Sequence, residues 1–321
     1  MTERLSPDRA GLARACALLR AGKLVAFGTE TVYGLGADAT NDHAVASVFV
    51  AKGRPHFNPL IAHYPDAEAA FAHVRATDMA RQLADAFWPG PLTLVLRRAD
   101  ACPISLLASA GLDTQAVRVP AHADTLALLR AVGQPIAGPS ANRSGQVSPT
   151  SAAHVLAELS GRIAGVLESG PCEVGVESTV LDISGDHPVL LRAGGITLEA
   201  IEAVIGPVAH TAPAAGVLRS PGLLASHYAP TLPVRLTATE MRADEALLAF
   251  GPPLPGAGLV FQLSAAQNLA EAAARLFAGL RWLDTQGQTR GLVRIAAMAV
   301  PSYGLGRAIN DRLHRAAAPR A

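Results

Sequence analysis

The sequence predicts two α/β domains in tandem, and three observations carry that prediction. Short apolar runs of strand length alternate with longer segments of helical periodicity along most of the chain. Half of the 321 residues are hydrophobic and 17% are charged, enough apolar material for more than one core. Residues 207–232, PVAHTAPAAGVLRSPGLLASHYAPTL, are rich in Pro, Ala, Gly and Ser and have no periodicity. They separate a first domain, 1–206, from a smaller one, 233–321.

The elements follow in order. Residues 8–21 read as a helix with Leu12, Ala15, Cys16 and Leu19 on one face. Leu24–Phe27 is a buried strand. It runs into a polar loop holding Thr29, Glu30, Thr31 and Tyr33. Gly34 and Gly36 then give the backbone freedom to turn or to let a ligand come close. Thr40, Asn41 or Asp42 caps a helix whose apolar face is Val45, Val48 and Phe49, and Gly53 and Pro55 end it. The chain beyond is expected to be extended, because Arg54 precedes a proline. Lys52 and Arg54, two residues apart, would then face one anion.

Residues 67–87 are helical with an interruption near 76–78. FWPGPLTLVLRR turns at Pro89–Pro91 and becomes a strand over Leu92–Leu96. Thr114–Val119 is a strand and Asp124–Val132 a helix. Pro135–Gly138 is a strand that feeds the loop PSANRSGQVSPT. A helix over Ser151–Leu159 follows, then strands at Val166–Leu167, Ser178–Ile183 and Val189–Arg192, then a helix over Leu198–Ile205. After the linker, strands Val234–Leu236, Ala246–Phe250 and Leu259–Leu263 precede a helix over Asn268–Asp284. Strand Leu292–Met298 and a helix over Arg307–Ala316 complete a small open α/β sheet.

Composition excludes several classes. Net charge is +1, with Lys+Arg 27 against Asp+Glu 26, which argues against a strong nonspecific grip on nucleic acid. Cys16, Cys102 and Cys172 are odd in number and far apart, so neither a disulfide framework nor a zinc site follows. They read as buried thiols in a reducing cytoplasm. The polar start MTERLSPDRA lacks a secretory apolar segment, and no apolar run is long enough to span a bilayer.

The motifs narrow the chemistry further. No phosphate-binding G-x-x-x-x-G-K-[ST] loop occurs. Gly34-Leu35-Gly36-Ala37-Asp38-Ala39 matches G-x-G-x-x-A, but it stands six residues after the strand and before the helix cap, the wrong place for a dinucleotide turn. Gly138-Pro139-Ser140-Ala141-Asn142 is a near miss for a nucleophile elbow and fits better as a polar cradle with Ser144, Ser148 and Thr150. Lys52 and Arg54 suit phosphates or a solvated helix end. Arg118 and Arg192 lie inside apolar strands and must meet either a substrate anion or a structural carboxylate. His63 and His227 have no ligand-spaced partner. Glu30, Glu173, Glu177 and Asp182 are candidate magnesium ligands that spacing does not separate.

In their order, TETVYGLG, KGRPHFNPLIAH, FWPGPLT, VRVP, PSANRSGQVSPT, GVESTVLD, LRAGGIT, SPGLLASHYAP and PSYGLGRAINDRLHRAA resemble the threonylcarbamoyl-AMP synthases, in their long two-domain form. The resemblance implies a YrdC-like twisted mixed-sheet catalytic domain followed by a Rossmann-like one. It implies condensation of L-threonine, bicarbonate or carbon dioxide, and ATP with Mg2+ to give threonylcarbamoyl-AMP and pyrophosphate. Separate transfer machinery would then modify tRNA beside the anticodon, with weak or no direct tRNA binding by this chain. Lys52 and Arg54 would stabilise phosphate charge. Arg54, Asn58, Thr114, Asn142, Thr150, Arg192 and Tyr228 would contact ATP. Thr31, His63, Arg118, Ser140 and Ser178 would hold threonine, and Arg118 would take its carboxylate. The linker, through Tyr228, would act as a lid over the nucleotide. Gly28 and Ala193 stand where the family usually has proline, and the linker is less basic than usual. Two rival readings are an RNA-binding module and a carbamoyl-phosphate-dependent carbamoyl transferase. The second would need zinc-finger cysteines and extra domains.

Overall fold

In the computed structural model the described residues are 1–54, 58–210 and 227–319. They form two compact units. The first holds the described residues of Met1–Ser144, Pro149–Cys172 and Glu177–Leu223, and the second those of Gly145–Ser148, Glu173–Val176 and Leu224–Ala321.

The first unit runs β1 (Glu3–Leu5), α1 (Arg9–Arg20), β2 (Val25–Phe27), β3 (Gly34–Asp38), α2 (Asp42–Lys52), β4 (Ile61–His63), α3 (Ala67–Phe71) and α4 (Asp78–Phe87). It continues through β5 (Leu92–Arg97), β6 (Thr114–Arg118), α5 (Ala123–Val132), β7 (Ile136–Ala137), α6 (Ala152–Leu159), β8 (Gly165–Leu167), β9 (Thr179–Asp182), β10 (Val189–Arg192), α7 (Leu198–Ile205) and β11 (Ala209–His210). The strands make one 11-stranded mixed sheet in the order β1-β8-β2-β3-β7-β4-β6-β5-β9-β10-β11.

Strand periodicity divides this sheet into two unlike faces. Leu60, Ala62 and Tyr64, Leu92, Leu94 and Leu96, Val117 and Leu181 join the main core. Each leucine or valine among them contributes about 1.5–3 kcal/mol by leaving water. The alternate positions build a much smaller apolar cluster, Ile61, Val95, Ala116 and Val180, with Leu191 packed against it. Between these small residues the same face carries buried polar groups, among them His63, Thr93, Arg118 and Ser178.

Three expectations change. Gly34 and Gly36 are not a free loop but lie in β3, antiparallel to β2 with Val25 opposite Gly36 and Phe27 opposite Gly34. Gly36 is required by packing, since a Cβ there would lie 2.7 Å from Phe27 Cε1 and 3.0 Å from Val25 O. This also disposes of the dinucleotide fingerprint. Second, the chain after α2 does not simply extend. Gly53 adopts the left-handed conformation (φ 59°, ψ 39°) and its N–H bonds back to the last turn, so Lys52 and Arg54 are related by a turn rather than by strand alternation. Pro55 lies outside the described residues. Third, β1, β4 and β11 were not anticipated. Three- and two-residue strands are too short to show alternation, and their pairing comes from neighbours already in place. At the other end of α2, Asn41 is the cap, accepting from His43 N (3.0 Å) and Ala44 N (3.2 Å).

The second unit comprises β12 (Val234–Arg235), β13 (Glu245–Phe250), β14 (Val260–Ser264), α8 (Leu269–Thr289), β15 (Arg294–Ala297) and α9 (Gly306–Ala317). Its 4-stranded sheet has the order β12-β15-β13-β14, and each neighbouring pair is parallel, as an open Rossmann-like sheet requires. Helix α8 runs past its expected end at Asp284 to Thr289, and Gly287 within this extension is buried. A Cβ there would lie 2.7 Å from Leu232 Cδ1. The ends of the expected linker belong to structure. Ala209 pairs with Val189 of β10. Thr231 N and Leu232 N each donate to the Asp284 carboxylate at 2.8 Å. Its middle, 211–226, lies outside the described residues, and so does most of the expected lid. No helix among the described residues is long and apolar enough to cross a membrane. Cys16 and Cys172 are buried as expected, whereas Cys102 is half-buried.

Candidate active site

The polar face of the first sheet is organised around Arg118. Its strand, β6, runs parallel to β4, and the register places His63 beside Arg118. The guanidinium is 4% exposed. Its Nη2 donates to Glu30 Oε1 at 2.6 Å and to Thr31 Oγ1 at 3.0 Å, and its Nε donates to Gly90 O at 3.3 Å. The Thr29 hydroxyl holds the loop in place for this contact. It donates to Val32 O, accepts from the backbone N–H groups of Thr31 and Val32, and lies 2.7 Å from Thr31 Oγ1. Arg118 therefore meets a structural carboxylate, Glu30, and a buried threonine hydroxyl together.

His63 is buried and neutral. Burial, reinforced by the nearby Arg118 charge, pushes its pKa down to about 3. Its Nδ1 is buried without a hydrogen-bond partner. Gly138 comes so near that a Cβ there would lie 3.0 Å from that nitrogen. Cys172, also in this electrostatic neighbourhood, is held as a thiol. Burial foremost, with Glu30 adding to it, pushes its pKa up to about 12.

The Ser140–Asn142 loop is braced from below by Lys52. The ammonium, at the end of α2, donates to Ser140 O and, at 2.5 Å, to Asn142 O. Desolvation, then the Arg54 charge, holds its pKa well below the ordinary lysine value. Ser140 also forms a bridge to Gly34 at the start of β3. The Arg54 guanidinium turns to the other side and donates to Asn58 O (3.4 Å) and Pro59 O (3.2 Å). The pair expected to grip one phosphate thus first shapes two loops. Asn58 is fully buried, and neither Oδ1 nor Nδ2 of its amide has a partner. Such an amide is costly in a closed core and suits a place where a ligand supplies both bonds.

Ser178 and Arg192 form a third group. Arg192 Nη2 donates to Ser178 O (2.9 Å) and Oγ (3.2 Å), and Ser178 Oγ lies 2.8 Å from Thr93 Oγ1. Gly195 N donates to Glu177 O at 3.0 Å, and a Cβ on Gly194 would lie 2.3 Å from Glu177 O. The Ala193-Gly194-Gly195 turn is thus pressed onto the backbone that carries Ser178.

The remaining expected residues are spread more widely. Thr114 shares the face of Arg118 but starts β6, four residues away, about 13 Å along the strand. It stands at the end nearer Asn58, so only an extended ligand could reach both ends. Thr150 is buried, with its N–H donating to His154 Nδ1 at 3.2 Å. Asn142 Nδ2 donates to Arg143 O at 2.8 Å. Tyr228 belongs to the second unit. It has φ 61°, stacks on Phe277 with centroids 5.4 Å apart, and lies under the Arg312 guanidinium at 5.5 Å. Sequence reasoning missed Thr93 and the packing role of Gly194, and took Glu30 only as a possible metal ligand. The first signal available was the T-E-T spacing, in which flanking hydroxyls fix the direction of a central acid.

Comparison with known proteins agrees with this architecture. Residues 17–194 match the family model Sua5_yciO_yrdC, described as "Telomere recombination", and residues 196–318 match "Threonylcarbamoyl-AMP synthase, C-terminal domain". The chain is 41% identical to a threonylcarbamoyl-AMP synthase of Pyrococcus abyssi, across 95% of this chain and 94% of that protein. It is 50% identical to one from Bacillus subtilis, across 74% of this chain and 69% of that protein. A crystal structure of P. abyssi Sua5 complexed with L-threonine superposes with a TM-score of 0.90 at 38% identity, covering 99% of this chain and 97% of that one. In sequence and in fold, across both units, this chain belongs to the threonylcarbamoyl-AMP synthase family.

Proposed function

We infer that this chain condenses L-threonine, bicarbonate or carbon dioxide, and ATP into L-threonylcarbamoyladenylate and pyrophosphate, as a nucleotidyltransferase that serves threonylcarbamoyladenosine modification of tRNA. The observation that carries the reading is the polar sheet face: buried Arg118, His63, Ser178 and Arg192 standing on a small apolar floor, in a chain that belongs to this family. The free amine of threonine adds to carbon dioxide and loses a proton, or condenses with bicarbonate and loses water, giving a carbamate. A carbamate oxygen then attacks the α-phosphorus, its bond to the α–β bridging oxygen breaks, and pyrophosphate leaves. The protein has to align the partners and stabilise phosphate charge, without a covalent nucleophile. The protonated state of Cys172 supports that division of labour.

In this reading Arg118 takes the threonine carboxylate, with Thr31, His63, Ser140 and Ser178 around the rest of the amino acid. Arg54, Asn58, Thr114, Asn142, Thr150 and Arg192 follow the nucleotide. The spread of this set along β4 and β6 suits an ATP-sized ligand, and the two unpaired amide atoms of Asn58 suit a base or ribose. Lys52 acts on the phosphates while holding the Ser140–Asn142 loop in shape. For Tyr228, family resemblance alone supports a nucleotide contact. Magnesium enters with ATP: no group of three or more His, Cys, Asp or Glu among the described residues could cage a metal ion, and Mg2+ commonly binds through substrate phosphates. The product passes to separate transfer machinery in the cytoplasm. A net charge of +1 supports weak or no direct tRNA binding by this chain. The test is pyrophosphate release from ATP with threonine and bicarbonate each omitted in turn. Release should need both, and release that ignores threonine would overturn the reading.

A further inference from the structure

We propose that Glu30 is the seat of the substrate's ammonium group, so that Glu30 and Arg118 together read the amino acid as a zwitterion. The inference rests on the threonine reading above and assigns a residue that the resemblance left out.

Glu30 and Arg118 are an almost fully buried ion pair, 2.6 Å apart, with side-chain exposures of 7% and 4%. If neutralising Arg118 were the whole purpose, the expected geometry would be a two-pronged fork in which both carboxylate oxygens are used. The pair is instead single-pronged. Only Oε1 meets the guanidinium, while Oε2 is buried and has no hydrogen-bond partner. A buried carboxylate oxygen left without a donor is costly, and here the loop is built to keep it so. The Thr29 hydroxyl ties Thr31 N and Val32 N to itself, so these nearby donors cannot turn toward Glu30.

Arg118 is complementary. Its Nε is engaged by Gly90 O, and its Nη2 by Glu30 and Thr31. Its Nη1 makes no hydrogen bond to the described residues and is the edge that can accept a carboxylate. One site thus offers an unused cationic edge and an unused anionic oxygen, held together by a shared ion pair. An α-amino acid carries its carboxylate and ammonium on one carbon, a short and fixed separation of opposite charges. The carboxylate falls to Arg118 Nη1 and the ammonium to Glu30 Oε2, which delivers the nitrogen in one orientation. Glu30 is thereby a specificity residue for an amino over a hydroxy acid. A site that hydrogen-bonds a buried polar group rejects the analogue lacking it more strongly than a site that reads shape alone.

Calorimetric titration of wild type and Glu30→Gln with L-threonine and with 2,3-dihydroxybutanoate tests this. The second compound keeps the carboxylate and the β-hydroxyl and replaces the amine by hydroxyl. Wild type should bind threonine at least tenfold more tightly than the hydroxy acid. Glu30→Gln should weaken threonine at least tenfold and leave the hydroxy acid within twofold. Equal weakening of both compounds would make Glu30 a mere support for Arg118 and overturn the proposal. So would unchanged threonine binding. If Glu30→Gln fails to fold, the wild-type preference decides alone, because equal affinity for the two compounds overturns the assignment. Wild-type protein that binds neither compound would overturn the threonine reading and this assignment with it, whereas loss of the preference alone leaves the threonine reading standing.

Discussion

Replacing Gly194 by alanine adds one methyl group and should disable the site at a distance. The new Cβ would stand 2.3 Å from Glu177 O, 2.3 Å from Ser178 C and 2.4 Å from Thr179 N. Ordinary contact begins near 3.4 Å, so one of two backbone segments must retreat by about 1 Å. Both segments carry site residues: Arg192 precedes the glycine by two, and Ser178 lies under it. Neither can move freely, because Arg192 Nη2 is bonded to Ser178 O and Oγ, and Gly195 N is bonded to Glu177 O. Forced overpacking of this kind costs about 1–3 kcal/mol. In a protein of this size each kcal/mol lowers Tm by about 2–4 °C. A misplacement of about 1 Å at a reacting centre lowers turnover by about 100-fold. The variant should therefore stay folded, melt several degrees lower, and release pyrophosphate about 100-fold more slowly with saturating threonine, bicarbonate and ATP. Gly185→Ala is the control, because a Cβ there meets nothing within 4 Å and the residue is exposed. Gly194→Ala with turnover within about threefold of wild type and an unchanged Tm would refute the view that this turn sets the position of Ser178 and Arg192.

Two further outcomes follow from the same geometry. Lys52→Met removes the donor to Ser140 O and Asn142 O while keeping most of the volume. Each buried bond of this charged type contributes about 1.5–3 kcal/mol, partly offset because a desolvated ammonium is removed as well. Turnover should fall at least tenfold in a folded protein, Arg54→Ala should do likewise, and wild-type rates in either would return the pair to an ordinary helix end. His63 binds its proton far less readily when folded, near pH 3, than in the unfolded chain near pH 6.5, so the unfolded state takes up the extra proton between these values. Its contribution to stability is complete above pH 6.5 and declines as pH falls, by about 2 kcal/mol at pH 5. Urea midpoints at pH 7 and pH 5 should therefore differ less in His63→Gln than in wild type, and an equal difference would show that His63 is not the titrating group.

The alternation of apolar runs and helical segments was legible without coordinates, because it arises from local periodicity. The break at 207–232 is read from composition, and the ends of that stretch pair within structure. The strands holding Arg118 and Glu245–Phe250 stand in apolar runs long enough to be read as strands. Strands of two or three residues show no alternation: β2, β7, β8 and β12 were read from apolar runs beside turns, and β1, β4 and β11 were missed. Gly34 and Gly36 misled in another way. Glycine signals freedom of φ in a sequence, but Gly36 is used for the room that a Cβ would take from Phe27.

For the site, the candidates came from sequence: Lys52, Arg54, His63, Arg118, the Ser140–Asn142 loop and Arg192 stand in ordered motifs that identify the family. What each side chain does depends on contacts between residues far apart in the chain. Lys52 meets carbonyls about 90 positions away, and Arg118 meets an acid 88 positions upstream. No periodicity encodes such pairings, because they exist only once the sheet order places β3, β7, β4 and β6 side by side. Only the tertiary structure could decide that Arg118 is already paired, that the pairing uses one carboxylate oxygen, and that the other is buried and unmatched.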